Sequence, residues 1–166
     1  MSSVRRSLWL VSVASSLQLQ LLSSTGARLS SEEALGHLEE AKEAALYFSA
    51  GWCPMCRSFE PSLAAFRAAA PNVVLIYVSS DRTVEDQRRR AEDLGVLQVD
   101  PEEATALKKR FRVWAGLETP TFGPGRRSGV PAIVVLDEAG NEKLFLDAET
   151  HGAKVLSDWA DSWNEA

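Results

Sequence analysis

Cys53 and Cys56 are the two cysteines of a chain of 166 residues, and Pro54 and Met55 separate them. That spacing suits disulfide exchange, in which one thiolate attacks a disulfide sulfur and a second thiol releases the product by attacking the first. A free thiol, with a pKa of about 8.5, is only slightly ionised at neutral pH, so such a pair needs surroundings that favour the anion. Two other chemistries compete. Structural zinc takes four ligands, and beyond the thiols only His37 and His151 remain as histidine ligands, neither in a second knuckle. A purely structural disulfide closing so small a loop would stabilise little. Both histidines read as helix-surface residues, no metal site is expected, and redox exchange is the favoured chemistry.

The flanking elements supply the surroundings. "AALYFSA" (44–50) is a continuous apolar run with aromatic residues, the pattern of a strand buried on both faces. "CPMCRSFEPSLAAFRAAA" then sets Met55, Phe59, Leu63 and Phe66 at intervals of three or four, a helical stripe. Pro54 fits a first helical turn, and Pro61 should kink the helix midway. The strand therefore delivers Cys53 to a helix N-terminus, where unpaired N–H groups and the helix dipole favour negative charge. Cys56 follows on the same face, within reach of the Cys53 sulfur.

The rest of the chain predicts the scaffold. "SSEEALGHLEEAK" is a short helix with a serine cap, "NVVLIYVSS" a second buried strand, and "TVEDQRRRAEDLG" a polar helix running from a Thr83 cap to Gly95. "VLQV" reads as a short edge strand, and "DPEEATALKKRFRV" as a helix opened by Asp100-Pro101 and closed by basic residues. "PAIVVLDEAGNEKLFLD" is a hairpin turning at Ala139-Gly140-Asn141, and Val155, Leu156, Trp159 and Trp163 share one face of a final helix. Strands alternating with helices, then a hairpin and a helix, predict a three-layer α/β sandwich.

Composition narrows the function. Hydrophobic residues at 45% and charged residues at 25% are ordinary globular values, so one soluble domain stabilised by packing is expected. A net charge of -5 argues against nucleic acid as a partner. No G-x-G-x-x-G after a strand and no P-loop is present, so no cofactor is expected. "LWLVSVASSLQLQLL" is short and serine-rich for a membrane span. Arg5, Arg6 and the absence of acids before Glu32 fit a secretory or organelle leader. An equally open reading folds this region, with "LLSSTGARLS" as a hairpin turning at Gly26. Localisation stays open between cytoplasm, organelle and secretion.

"YFSAGWCPMCRSFEPSL", "VVLIYVSSDRT", "LKKRFRV" and "GVPAIVVLDEAGN" resemble the nucleoredoxin and tryparedoxin branch of the thioredoxin-like proteins. The upstream "LLSSTGARLSSEEAL" is similar to the lead-in hairpin of that branch. The resemblance implies an α/β, thioredoxin-like three-layer α/β/α sandwich with a central mixed sheet over 18–166. Within it fall a lead-in hairpin at 18–30 and a loop insertion at 114–129, leaving 1–17 as a targeting segment or disordered N-terminus. It further implies that Cys53 is the attacking, solvent-facing nucleophile and Cys56 the buried resolving thiol. Trp52, Pro54, Met55, Val130 and Pro131 would form the substrate-binding surface. Pro131 would follow a cis bond that turns the Val130 backbone toward an extended substrate.

Three departures stand out, the first and third from the branch and the second from thioredoxins at large. Pro54-Met55 replaces the usual Pro-Pro, which loosens the ring between the cysteines. Tyr47 stands where many thioredoxins bury an aspartate, which is usual in this branch, leaving Glu60 or water as proton acceptor for Cys56. The stretch "WAGLETPTFGPGRRSG" (114–129) replaces a tight connection, and loops of that length are often functional. Its Arg126 and Arg127, together with Arg57, are candidates for an electrostatic bias toward anionic partners or a more stable thiolate; a solvated charged loop is the plainer alternative.

The expected activity is reduction of protein disulfides by a monomer, re-reduced by an upstream dithiol donor, either a protein or a small thiol. A redox-sensing or binding module that moves 116–129 is the alternative. A secreted protein would act instead as a disulfide oxidase or isomerase. A thiol peroxidase on the same fold fits the spacing less well.

Overall fold

The computed structural model describes residues 19–38 and 41–165, so the candidate leader at 1–17 lies outside the described residues. Strand β2 (Glu43–Ser49) is buried at every position, as its unbroken apolar pattern requires. It pairs in parallel with β3 (Val73–Ser79), from Glu43 opposite Val73 to Ser49 opposite Ser79. On its other side it pairs antiparallel with β5 (Ala132–Leu136), which pairs antiparallel with β6 (Glu142–Leu146). Strand β4 (Leu97–Val99) runs parallel to β3, and β1 (Leu21–Leu22) closes the far side antiparallel to β4. The mixed sheet has the order β1-β4-β3-β2-β5-β6.

The expected edge position of "VLQV" is corrected here. Leu21 and Leu22 pair with Val99 and Gln98, so β4 is an interior strand with all its residues buried. The lead-in itself turns tightly. Leu22 bridges to Arg28, and Gly26 sits at φ +90°, a conformation that favours glycine.

Helices form where caps and apolar stripes predict them. In α1 (Ser31–Leu38), Ser30 and Glu33 make a reciprocal capping box. The Ser30 N–H donates to Glu33 Oε2 at 2.8 Å and the Glu33 N–H to Ser30 Oγ at 3.2 Å. Helix α2 (Pro54–Ala69) follows β2 and continues through Pro61, while α3 (Val84–Leu94) starts on Thr83 and ends at Gly95 in the left-handed region. Helix α4 (Pro101–Phe111) is capped by Asp100. After the insertion and the hairpin come α6 (Ala148–His151) and α7 (Lys154–Ser162).

Alternation along β2 divides the core between the two faces of the sheet. Leu46 and Phe48 face the layer of α1 and α4, with Ala34, Leu107 and Phe111. Ala45 and Tyr47 face the layer of α2, α3 and α7, with Phe59, Leu63, Ala91 and Trp159. Met55 does not join the α2 stripe: it is 49% exposed, and the buried positions are Cys56, Phe59 and Leu63. Successive helical residues are about 100° apart, so with Cys56 turned inward its neighbour Met55 points off the buried face.

The insertion is more ordered than its glycines and prolines suggest. A 3-10 turn (Gly116–Glu118) leads into α5 (Thr119–Phe122), and Trp114 stacks on Phe122 with ring centroids 5.2 Å apart. Its base is closed by Arg127 N–H donating to Arg112 O at 2.7 Å and Trp114 N–H donating to Ser128 O at 3.3 Å. Opposite the cysteine end, buried Glu43 accepts from Trp159 Nε1 at 2.6 Å and Trp163 Nε1 at 2.8 Å, and pairs with Lys143. Among the described residues, no helix is long and apolar enough to cross a membrane.

Candidate active site

The end of β2 turns at Ala50–Trp52 and places Cys53 at the N-cap of α2 with extended backbone (φ −82°, ψ 115°). There Cys53 Sγ accepts the Cys56 N–H at 3.2 Å, taking up one of the helix-end donors. Both thiols are free. Cys56 is fully buried, and Cys53 is only 5% exposed, although the sequence places it facing solvent. The difference arises because Val130, from the loop before β5, closes over it. The Cys53 thiol donates to Val130 O at 3.7 Å, and the Val130–Pro131 bond is cis.

The Cys56 thiol holds its proton tightly. Burial pushes its pKa up to about 12, aided by its hydrogen bond to Cys53, while the Ser49 hydroxyl and the Ala50 backbone work in the other direction. The dithiol therefore has one sulfur that accepts an N–H at a helix end and one that stays protonated beside it.

Carboxylates that the sequence did not single out hold the surrounding loops. Asp81 Oδ2 accepts from Tyr77 OH at 2.6 Å and Ser79 Oγ at 2.8 Å, and Asp81 Oδ1 accepts the Gly51 N–H at 2.7 Å. The end of β3 thus clamps the turn that leads to Cys53. Trp52 is half-buried, and its Nε1 donates to Ser80 O at 2.9 Å. Glu118, in the insertion, accepts from Ser80 Oγ at 2.7 Å and from the largely buried Lys108 at 2.5 Å, so the insertion is tied to the strand that holds Trp52. The only sequence signal for Asp81 was a polar Ser-Ser-Asp ending an apolar strand. Glu118 had none, because Lys108 on α4 and Ser80 just after β3 are brought to it only by the fold.

The other candidate residues separate into two groups. Pro54 and Met55 are exposed on the first turn of α2, and Val130 and Pro131 are buried against Cys53. Arg57 donates from Nε to Gly51 O at 2.6 Å. It lines a cleft of about 340 Å³ with Trp52, Asp81, Arg82, Asp86 and Arg89. Arg126 and Arg127 are answered locally. Arg127 binds both oxygens of Glu142, at 2.6 and 2.9 Å, and lies over the Phe145 ring, whereas Arg126 donates to Trp114 O and sits 3.9 Å from Glu149. Among the described residues, no group of His, Cys, Asp and Glu is arranged to hold a metal ion, and His37 and His151 are exposed.

Gly129 fixes the loop beside Cys53 through space alone. Its N–H donates to Glu149 Oε2 at 2.5 Å, and a Cβ at this position would lie only 2.4 Å from Glu149 Oε1. The atoms it would meet are the tip of a flexible side chain that can swing aside, so Gly129→Ala is expected to cost about 1 kcal/mol, chiefly through the displaced Glu149 hydrogen bond. Glu149→Ala alone should lower the melting temperature by a similar amount, and combining the two should add little. A melting temperature unchanged by Gly129→Ala would show that the contact yields freely.

A sheet-centred sandwich with a Cys-x-x-Cys pair at a helix N-cap, facing a cis-proline loop, is the architecture of thiol–disulfide proteins. The chain belongs to the thioredoxin-like family, whose model matches residues 42–142. It is 30% identical to human nucleoredoxin over 105 residues, covering 61% of this chain and 22% of that protein. It is 43% identical to tryparedoxin of Trypanosoma brucei brucei over 60 residues, covering 34% of this chain and 41% of that one. The chain thus spans about a fifth of the nucleoredoxins it matches. Among solved structures, thioredoxin from Wuchereria bancrofti superposes with a TM-score of 0.59 at 25% identity, covering 87% of this chain and 95% of that one. Tryparedoxin from Trypanosoma brucei superposes with a TM-score of 0.56 at 27% identity, covering 82% and 85%.

Proposed function

We propose that this thioredoxin-like oxidoreductase reduces protein disulfides through Cys53 and Cys56. The observation that carries the reading is the pairing of Cys53 Sγ with the Cys56 N–H at a helix N-cap, beside the Val130 carbonyl. Cys53 attacks a substrate disulfide as the thiolate and forms a mixed disulfide. Cys56 then attacks Cys53, the reduced substrate leaves, and an upstream dithiol donor restores the pair. Trp52, Pro54, Met55, Val130 and Pro131 form the rim on which the substrate chain lies. Arg57, Arg126 and Arg127 tune its charge to the extent that their own partners leave charge unanswered. Replacing Arg126 and Arg127 with serine tests that role, and an unchanged rate with an anionic disulfide would remove them from the site.

The deciding experiment equilibrates the pair in glutathione and dithiothreitol buffers and assays insulin reduction alongside. A potential near about −270 mV with steady turnover is the expected result for a reductase. A value between about −180 and −120 mV with poor turnover would make the protein an oxidant or isomerase. A reducing potential without turnover would reassign the pair to redox sensing.

A further inference from the structure

Resolution of the mixed disulfide requires Cys56 to lose a proton inside the protein. Tyr47 occupies the place where many thioredoxins carry a buried aspartate, so the acceptor must lie elsewhere. Tyr47 and Ser49 alternate to the same face of β2, the face that α2 covers. Cys56 and Glu60 lie four residues apart on α2, hence on neighbouring turns of one face. Ser49 is fully buried at the end of β2, and its hydroxyl works to lower the pKa of both the Cys56 thiol and the Tyr47 phenol.

Ser49 Oγ, Tyr47 OH and Glu60 Oε1 are all buried with no hydrogen-bond partner of ordinary geometry. Three such atoms in one place are unusual, since buried polar groups are nearly always satisfied. Tyr47 and Glu60 also line a shared cavity of about 100 Å³, with Arg67, Asp93 and apolar side chains completing the wall. That volume and lining suit water molecules. The other carboxylate oxygen of Glu60 pairs with Arg90, which holds the side chain at the cavity.

We propose that Ser49, Tyr47 and Glu60 form the route by which Cys56 gives up its proton. The inference rests on the disulfide-exchange reading above. In the step, the Cys56 S–H bond breaks, a sulfur–sulfur bond forms to Cys53, and the bond from Cys53 to the substrate sulfur breaks. The substrate leaves with the electron pair as a thiolate. Ser49 receives the Cys56 proton while passing its own to Tyr47, and Tyr47 passes one to Glu60 directly or through cavity water. Ser49 is the first acceptor in this route, and Tyr47 and Glu60 act through it.

The charged and titratable groups facing this line are Cys53 and Arg67 on the α2 side, Tyr77 and Asp81 from β3, and Arg90 and Asp93 from α3.

The test uses the reduced full chain and 5,5′-dithiobis(2-nitrobenzoate) in stopped flow. Cys53 attack releases a first nitrothiobenzoate, and Cys56 resolution releases a second. In Ser49→Ala, Tyr47→Phe and Glu60→Gln, the first phase should match the unsubstituted protein. The second should slow about tenfold or more at neutral pH, with its pH profile displaced upward. Tyr47→Phe removes an unpartnered hydroxyl, so its melting temperature should be unchanged or higher, which separates proton transfer from damage to the fold. A second phase with unaltered rate and pH profile in Tyr47→Phe and Glu60→Gln would overturn the route while leaving the exchange reading intact. Absence of a second phase in the unsubstituted protein would overturn both.

Discussion

Cys56→Ser is expected to turn the protein from a turnover catalyst into a trap. Cys53 keeps its N-cap position and the Val130 loop, so it still attacks a disulfide. The serine hydroxyl cannot displace the substrate, and the mixed disulfide accumulates. Intact-mass spectrometry should show one substrate adduct per chain, released by dithiothreitol, while insulin reduction falls to the level of the reductant alone. Cys53→Ser should show neither adduct nor turnover, because the remaining thiol is fully buried and strongly protonated. Turnover surviving in Cys56→Ser would point to a single-thiol mechanism and end the resolving role.

Glu43 carries the largest expected effect on stability. Its carboxylate lies in the core beneath α7 and binds two indole N–H groups and Lys143. Burial alone would raise its pKa; the Lys143, Trp163 and Trp159 hydrogen bonds, helped by the Lys143 charge, outweigh burial and hold it below the ordinary carboxylate value. A carboxyl whose folded pKa is depressed contributes stability that is fully present above the unfolded value of about 4.3 and is lost as the pH falls through the folded value. Glu43→Leu removes the acceptor of the fully buried Trp159 and is expected to cost about 3 kcal/mol. For a domain of this size that lowers the melting temperature by roughly 10 °C near neutral pH. The deficit should shrink in acid, where the native carboxyl is itself protonated. A deficit independent of pH would assign the effect to packing alone.

The site was legible where it is local. A continuous apolar strand, a two-residue spacer and a helical stripe are read within one window, and they place Cys53, Cys56 and their partners in helix and strand correctly. Val130-Pro131 needed the family resemblance, since a proline before a strand has no unique reading. The spacing of Met55 fits the stripe, yet the buried face runs through Cys56, Phe59 and Leu63 and leaves Met55 exposed.

Asp81, Glu118, Glu149 and Glu43 stayed hidden for a different reason. Each takes at least one donor from far along the chain, 30, 38, 20 and 116 residues away, that only the fold brings to it. Strand β4 was misplaced because its outer neighbour is only two residues long, too short for a periodic signal.

The ends of the strand order have a bearing on how the protein behaves among copies of itself. An open sheet edge is a template for a strand from another molecule. Here one edge is the two-residue β1, which offers little to add to. The other edge, β6, opens with Glu142 and Lys143, and both are engaged, by Arg127 from the insertion and by Glu43 from the core. A strand approaching β6 would have to desolvate these two ion pairs before gaining its backbone bonds. The contacts that anchor the insertion and the base of the core thus also guard the sheet against edge-to-edge aggregation.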